Sequence, residues 1–345
     1  MSQTGRSNAS SLPTSIADAL ARWRTPILST IATVVAPPAR EGDGSLADMI
    51  HYHIGTGGKR LRPLIALMAA EALGADPERV LPFAAGVELL HNATLVHDDY
   101  QDGDRVRRGR PTIWVRDGWE QSINAGDGLY FAGMALLARA QTAPQDMPRL
   151  VEMTSRRMLQ VIEGQVNEFR LKNRFASGES VSEADYIDVI RGKTAGLFAL
   201  PLEGGGICAG RPHSEVEGLA IAGDLLGLLF QVQDDLLDLI GDKGRGQVGT
   251  DIAEGKPSLP VVRALSQANE GDAQSLLTIV RRPREETSEA DIAQAMEILE
   301  GSGAIESSLA TVREWRSQIV AGHPDLGDLL TDVTTAVINP IADRI

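Results

Sequence analysis

The chain has 345 residues, 43% of them hydrophobic and 23% charged, with a net charge of -14 from 47 acidic and 33 basic side chains. That balance argues against nucleic acid as a partner, which needs a basic face, and against an anionic membrane surface. A single cysteine, Cys208, rules out an intrachain disulfide and fits a reducing cytoplasm, and without a run of 18 apolar residues no transmembrane segment is expected.

Residues 1–12 read as a disordered tail and 13–345 as one domain. The stretch Met1 to Pro13 is polar and Ser-rich and lacks the apolar centre of a signal peptide. Apolar residues then recur at three- and four-residue spacing over 16–35, 61–73, 78–100, 120–140, 147–172, 183–200, 214–240, 258–268, 287–300 and 303–320, which predicts helices. Breakers separate them at Ala36-Pro37-Pro38, Gly55 to Gly58, Gly103 to Pro111, Gly241 to Gly249 and His323-Pro324. Strand-like alternation is scarce, so the expected fold class is all-α, a bundle of about a dozen helices. Cys208, in a small Gly-rich apolar stretch, reads as a packing residue.

Two acidic clusters echo one another along this pattern. His97-Asp98-Asp99-Tyr100-Gln101-Asp102 closes one apolar helix, and Gln233-Asp234-Asp235-Leu236-Leu237-Asp238 closes another. Residues four apart share a helix face, which pairs Asp98 with Asp102 and Asp234 with Asp238, and leaves Asp99 and Asp235 at the edges. Like charges at that spacing repel, so two such clusters point to a compensating cation. Oxygen-only ligands favour a hard one such as Mg2+, completed by water and substrate phosphate. A calcium loop does not fit, because Tyr100 and Gly109 fall where ligands belong.

The basic residues of this acidic chain gather where a diphosphate would need them. Lys59 and Arg62 sit in Gly57-Gly58-Lys59-Arg60-Leu61-Arg62-Pro63 at a helix start, where backbone N–H groups add to the attraction. Arg107 and Arg108 follow the first acidic cluster and suit bidentate phosphate bonds. Lys193-Thr194 lies mid-chain, and Lys256 follows the second cluster. None of these is a P-loop. His51 and His53 bracket Tyr52 at i,i+2, which is no shared helix face, and read as structural.

These residues, as a set, resemble the trans-polyprenyl diphosphate synthases, from about Leu46 to Pro260. The resemblance is carried by the Gly-Gly-Lys-Arg-Leu-Arg-Pro start, Glu88-Leu89-Leu90-His91, the first aspartate motif with its trailing Arg107-Arg108-Gly109, Ile123 to Asp127, Lys193-Thr194, and Phe230-Gln231 before the second aspartate motif. It implies the isoprenoid synthase fold, helices around a central cavity, and an enzyme that condenses isopentenyl diphosphate with allylic diphosphates. Lys59, Arg62, His91 and Arg108 would hold isopentenyl diphosphate. Asp98, Asp102 and Asp234 would bind Mg2+, about three ions per active site, with Asp99, Asp235 and Asp238 as further catalytic-site acids. Arg107, Lys193, Thr194, Gln231 and Lys256 would hold the allylic diphosphate, and Gln165 would line the same cavity. A homodimer in the cytoplasm is implied as well. One departure stands out: the family's lysine after the second motif is absent, and Arg245 stands nearby.

Product length should follow the side chains below Asp98, namely Thr94, Ala93 and Leu90. With Ala93 and Thr94 small, a product of C20 (geranylgeranyl diphosphate) or longer is expected, and Phe131 with Tyr130 could floor the tunnel, or Phe131 could be ordinary core packing. A terpene cyclase on the same fold would need aromatic walls, and the chain is only 4% aromatic. A non-catalytic partner subunit of a prenyl synthase would have little reason to keep both acidic clusters.

Overall fold

The computed structural model describes residues 12–240, 248–323 and 326–344. Residues 1–11 of the expected 1–12 tail, and Arg245 within 241–247, lie outside the described residues. In chain order the helices are α1 (Thr14–Ala32), α2 (Leu46–Ile54), α3 (Leu61–Ala72), α4 (Pro77–Gln101), α5 (Ile113–Arg116), α6 (Trp119–Leu137), α7 (Asp146–Ala176) and α8 (Glu183–Ile190). A π turn, Arg191–Ala195, leads to α9 (Gly196–Cys208), α10 (His213–Ile240), α11 (Thr250–Ala253), α12 (Leu259–Gln267), α13 (Glu270–Val280), α14 (Glu289–Gly301), α15 (Ala304–Gly322) and α16 (Gly327–Ile338). The only sheet among the described residues is a two-stranded hairpin, β1 (Val106–Arg107) with β2 (Arg110–Pro111). No helix of the described residues is long and apolar enough to cross a membrane.

The chain forms two compact units. One comprises residues 18–159 and 197–223. Its central helix is α4, started by Asp76, whose carboxylate accepts from the Glu78 N–H at 3.0 Å, and by Pro77 at the first helical position. Phe83, Leu89, Leu90, Ala93 and Val96 bury several of its faces, as a helix in the middle of a bundle must. It lies against α6 through a pair of glycines. A Cβ on Gly86 would come within 2.7 Å of the Gly133 carbonyl, and one on Gly133 within 2.9 Å of the Leu90 side chain. That contact fixes Leu90 between the two helices.

The other unit comprises the described residues of 12–17, 160–196 and 224–344. Side-chain caps start several of its helices. Ser182 and Asp185 close a capping box on α8, Ser288 and Asp291 another on α14, and Asn269 caps α13. Val261, Leu276, Leu299, Val312 and Val333 form its core. Five helices, α2, α5, α11, α13 and α16, have no counterpart in the apolar spacing. Short helices with polar buried residues such as Asp48 and His53 carry little periodic signal. The span 183–200, expected as one helix, is interrupted by the π turn.

Candidate active site

The first acidic cluster occupies the last turn of α4, where no basic residue stands against the helix dipole. Its three carboxylates face different surroundings. Asp98 is half-buried, Asp102 is the exposed C-cap, and Asp99 is 1% exposed. Asp99 accepts from Arg107 Nε at 2.6 Å, and burial pushes its carboxyl up while Arg107 opposes. Asp99 thus anchors an arginine, leaving Asp98 and Asp102 as the outward pair.

Arg107 and Arg108 ride on the β1–β2 hairpin. Arg108 and Gly109 form its two-residue turn with φ of 52° and 76°, the left-handed pair that such a turn requires. The hairpin is clamped from below: the Tyr52 ring lies between the guanidinium groups of Arg110 and Arg116, at 4.1 and 4.0 Å, and its hydroxyl donates to the Pro111 carbonyl at 2.8 Å. Arg108 in turn donates to the Gly57 carbonyl, so the hairpin meets the turn that carries exposed Lys59.

Arg62 lies 3.2 Å from His91 Nε2 and stacks on the Phe198 ring at 4.5 Å. Burial, with Arg62, Arg108 and Arg107 nearby, holds His91 well below the usual imidazole range, so it is neutral at pH 7. Burial likewise brings Arg62 down to about 10. His51 Nε2 donates to the Val35 carbonyl at 2.9 Å, and burial pushes His53 down to about 3, so both read as structural, in line with their spacing.

Leu90, Ala93 and Thr94 are buried in the 18–159 unit. Phe131 is not: it is 79% exposed, so in this unit it is neither core packing nor an internal floor. It projects from α6, on which Trp119 and Ile123 are also exposed. Tyr130 instead packs near His97, ring centroids 5.7 Å apart. Cys208 is only partly buried, and burial raises its thiol to about 12, which keeps it protonated and inert.

The second acidic cluster sits at the end of α10, again with no basic residue in the last turn. Asp235 is 0% exposed and accepts from Tyr186 Oη at 2.6 Å, Lys256 Nζ at 2.8 Å and Gln231 Nε2 at 3.1 Å. Asp238, 2% exposed, accepts from the Asp251 N–H at 2.8 Å and from the Thr250 hydroxyl, capping α11. The expected outward pairing of Asp234 with Asp238 is therefore not found. The chain folds back after α10 and takes Asp238 inward, while Asp234 stays half-buried.

Around them lie the expected cations and polar groups. Lys256 also bonds Asp251 at 3.2 Å, and although burial opposes its charge, Asp235, Asp251 and Asp234 raise it well above the usual lysine value. Thr194 donates to Gln231 Oε1 at 2.8 Å. Lys193 bonds Glu168 at 2.6 Å, and Lys193, Lys172 and Lys256 outweigh burial to keep Glu168 ionised. Gln165 lies one turn before Glu168 on α7. Neither Glu168 nor Tyr186 stands out in the sequence, because each meets its partner only through the fold.

The π turn explains how Lys193 and Thr194 are presented. It brings Gly192 onto Gly164 of α7, where a Cβ on Gly164 would come within 2.0 Å of the Lys193 backbone nitrogen. That neighbour is backbone and cannot swing aside. Gly164→Ala is expected to lower stability by about 1–3 kcal/mol, measured by equilibrium unfolding, and a variant as stable as the parent would show that the contact is loose.

Among the described residues no three His, Cys, Asp or Glu side chains converge as a metal cage. Each cluster by itself offers oxygen donors that suit Mg2+: half-buried Asp98 with exposed Asp102 in one unit, half-buried Asp234 in the other, with water and phosphate to complete a coordination shell.

The family model for polyprenyl synthetase matches residues 43–299. The chain is 36% identical over 255 residues to a short chain isoprenyl diphosphate synthase of Methanothermobacter thermautotrophicus, covering 73% of this chain and 76% of the relative. It is 37% identical over 253 residues to a geranylgeranyl diphosphate synthase of Saccharolobus solfataricus, covering 72% and 74%. Its fold matches the crystal structure of a geranylgeranyl pyrophosphate synthetase from Pyrococcus horikoshii with a TM-score of 0.83 at 29% identity, over 94% of this chain and 97% of the other. The chain belongs to the polyprenyl synthetase family, the prenyltransferases that elongate trans-prenyl chains.

Proposed function

We propose that this enzyme condenses isopentenyl diphosphate with allylic diphosphates to give an all-trans product, geranylgeranyl diphosphate or longer. The observation that carries this reading is the pair of acidic helix ends, each lacking a basic residue in its last turn and each accompanied by a basic side chain bonded to its buried aspartate, Arg107 at Asp99 and Lys256 at Asp235. The names of the relatives and the small, buried Ala93 and Thr94 support the C20 product. Leu90, Ala93 and Thr94 bound the hydrocarbon end. We place both units in one domain, 13–345, since the family match runs across both.

Prenyl synthases of this family use Mg2+. Asp98, Asp102 and Asp234 would hold it, about three ions in all, and it would neutralise charge gathering on the departing diphosphate. The chain's own residues do the rest. Arg107, Lys193, Thr194, Gln231 and Lys256 hold the allylic diphosphate and stabilise its negative charge as the allylic C–O bond breaks. Lys59, Arg62, neutral His91 and Arg108 hold isopentenyl diphosphate so that its double bond can attack the allylic carbon. The proton lost as the new double bond forms passes to the released pyrophosphate. Asp99, Asp235 and Asp238 act by fixing Arg107, Lys256 and the start of α11.

Product chromatography with isopentenyl diphosphate and each of the C5, C10 and C15 starters tests this reading. A C20 or longer polyprenyl diphosphate is expected, and a product stopping at C15, or a cyclic hydrocarbon from geranylgeranyl diphosphate alone, would overturn it. The enzyme is further proposed to work as a cytoplasmic homodimer, supported by the exposed Trp119, Ile123 and Phe131 on α6. Phe131→Glu is expected to shift the sedimentation of the chain from dimer to monomer, and an unchanged dimer would remove this face from the interface.

A further inference from the structure

Between exposed Lys59 and Arg62 stands Arg60, whose side chain turns the other way. It is 7% exposed, with its backbone in the left-handed region at φ 49° as the N-cap of α3. Its guanidinium donates to Glu88 on α4 and, at 2.6 Å, to the Ile54 carbonyl at the end of α2. Glu88 is 3% exposed and also accepts from Asn92 Nδ2 at 2.8 Å, while the same amide donates to the Glu88 carbonyl at 2.7 Å. One turn along α4 from Glu88 is His91, the neighbour of Arg62.

Stability alone gives no reason for this arrangement. A buried ion pair is often no better than two apolar side chains of similar volume. A non-glycine residue at positive φ adds strain, because its Cβ crowds the following carbonyl oxygen. Such strain persists only where the surroundings over-determine it, commonly beside a functional site. Here the surroundings are Glu88 and the Ile54 carbonyl. With Arg60 pinned inward, the backbone on either side has one course, which leaves Lys59 exposed and starts α3 so that its first turn brings Arg62 to His91.

We infer that the Arg60–Glu88 pair is a positioning device for isopentenyl diphosphate: it sets the separation and direction of Lys59 and Arg62 without touching the substrate. The inference rests on reading Lys59, Arg62 and His91 as the isopentenyl diphosphate pocket. Asn92 belongs to the same device, since it holds the Glu88 carboxylate toward Arg60.

The test is the double variant Arg60→Met/Glu88→Leu, which removes both buried charges together and so avoids an orphaned one. Binding of isopentenyl diphosphate and, separately, of farnesyl diphosphate is measured by calorimetric titration. The expected result is a Kd for isopentenyl diphosphate weakened about tenfold or more, with that for farnesyl diphosphate changed by less than about twofold and the melting temperature near the parent's. Unchanged binding of both ligands overturns the inference, and so does equal weakening of both, which marks a general structural role. Should the double variant fail to fold, Glu88→Gln is read by the same two titrations with the same outcomes. A parent chain that does not bind isopentenyl diphosphate overturns the pocket reading and this inference with it, whereas a binding parent with an equally tight variant overturns the inference alone.

Discussion

Asp98→Asn and Asp234→Asn are each expected to lower kcat by about 10²–10³-fold, the range for losing one preorganised group that stabilises charge in the transition state. Asp234 lies farther back on α10, within reach of the Lys256 charge, whereas Asp98 stands in the last turn of α4, at the negative end of that helix. Placed there, an acid is unfavourable by a few tenths of a kcal/mol or more unless a cation is bound. Both variants should stay folded while activity collapses. A second readout separates a cation site from a solvated helix end. Mg2+ with inorganic pyrophosphate should raise the melting temperature of the parent, because a ligand that binds only the folded state stabilises it, and should do so far less in either variant. Full turnover in Asp98→Asn, or an undiminished thermal response, would remove the first cluster from the metal site.

The same clusters show what the sequence reveals and where it stops. Spacing of apolar residues was enough to locate the long helices α4, α6, α7 and α10, because each buries a stripe or more and the period is visible in the chain itself. The two aspartate runs were visible for the same reason, being local. What spacing could not tell was which carboxylate of each run faces outward. That is decided by residues far along the chain: Arg107 takes Asp99, while Tyr186 and Lys256 take Asp235. A helical-wheel argument pairs Asp234 with Asp238, yet the returning chain at Thr250 and Asp251 draws Asp238 inward.

Other gaps have the same origin. Glu168 is one of many surface-like acids on an amphipathic helix until Lys193, 25 residues on, reaches it. The π turn at Arg191–Ala195 keeps the helical spacing of its neighbours and adds only one residue to the turn, so it leaves no pattern to read. Phe131 shows the limit of composition. An aromatic residue within the helical stretch 120–140 reads as core or tunnel floor, and only its 79% exposure separates those readings from a surface that another copy could cover.

Lys256→Met is expected to destabilise the folded chain by about 3 kcal/mol at neutral pH, the lower end of the range for removing one partner of a buried ion pair. The lower end applies because Asp235 would keep its bonds from Tyr186 and Gln231 when the lysine is lost. The penalty has a definite pH dependence. Burial already raises the Asp235 carboxyl above its ordinary 3.8, and without Lys256, the largest opposing influence, it rises further. An acid whose folded-state pKa lies above its unfolded value destabilises the protein increasingly as pH climbs from the unfolded value through the folded one. Protonating Asp235 relieves more of the burden at pH 5 than at pH 8, so the stability gap to the parent should widen with pH. Urea unfolding of both proteins at these two pH values measures that gap. Adding Asp235→Asn to Lys256→Met should recover most of the loss at pH 8, since the buried charge is then gone. An equal deficit at both pH values, with no recovery in the double variant, would mean that Lys256 stabilises the fold through packing of its aliphatic stem, and Asp235 would then lose its role as the group that fixes Lys256.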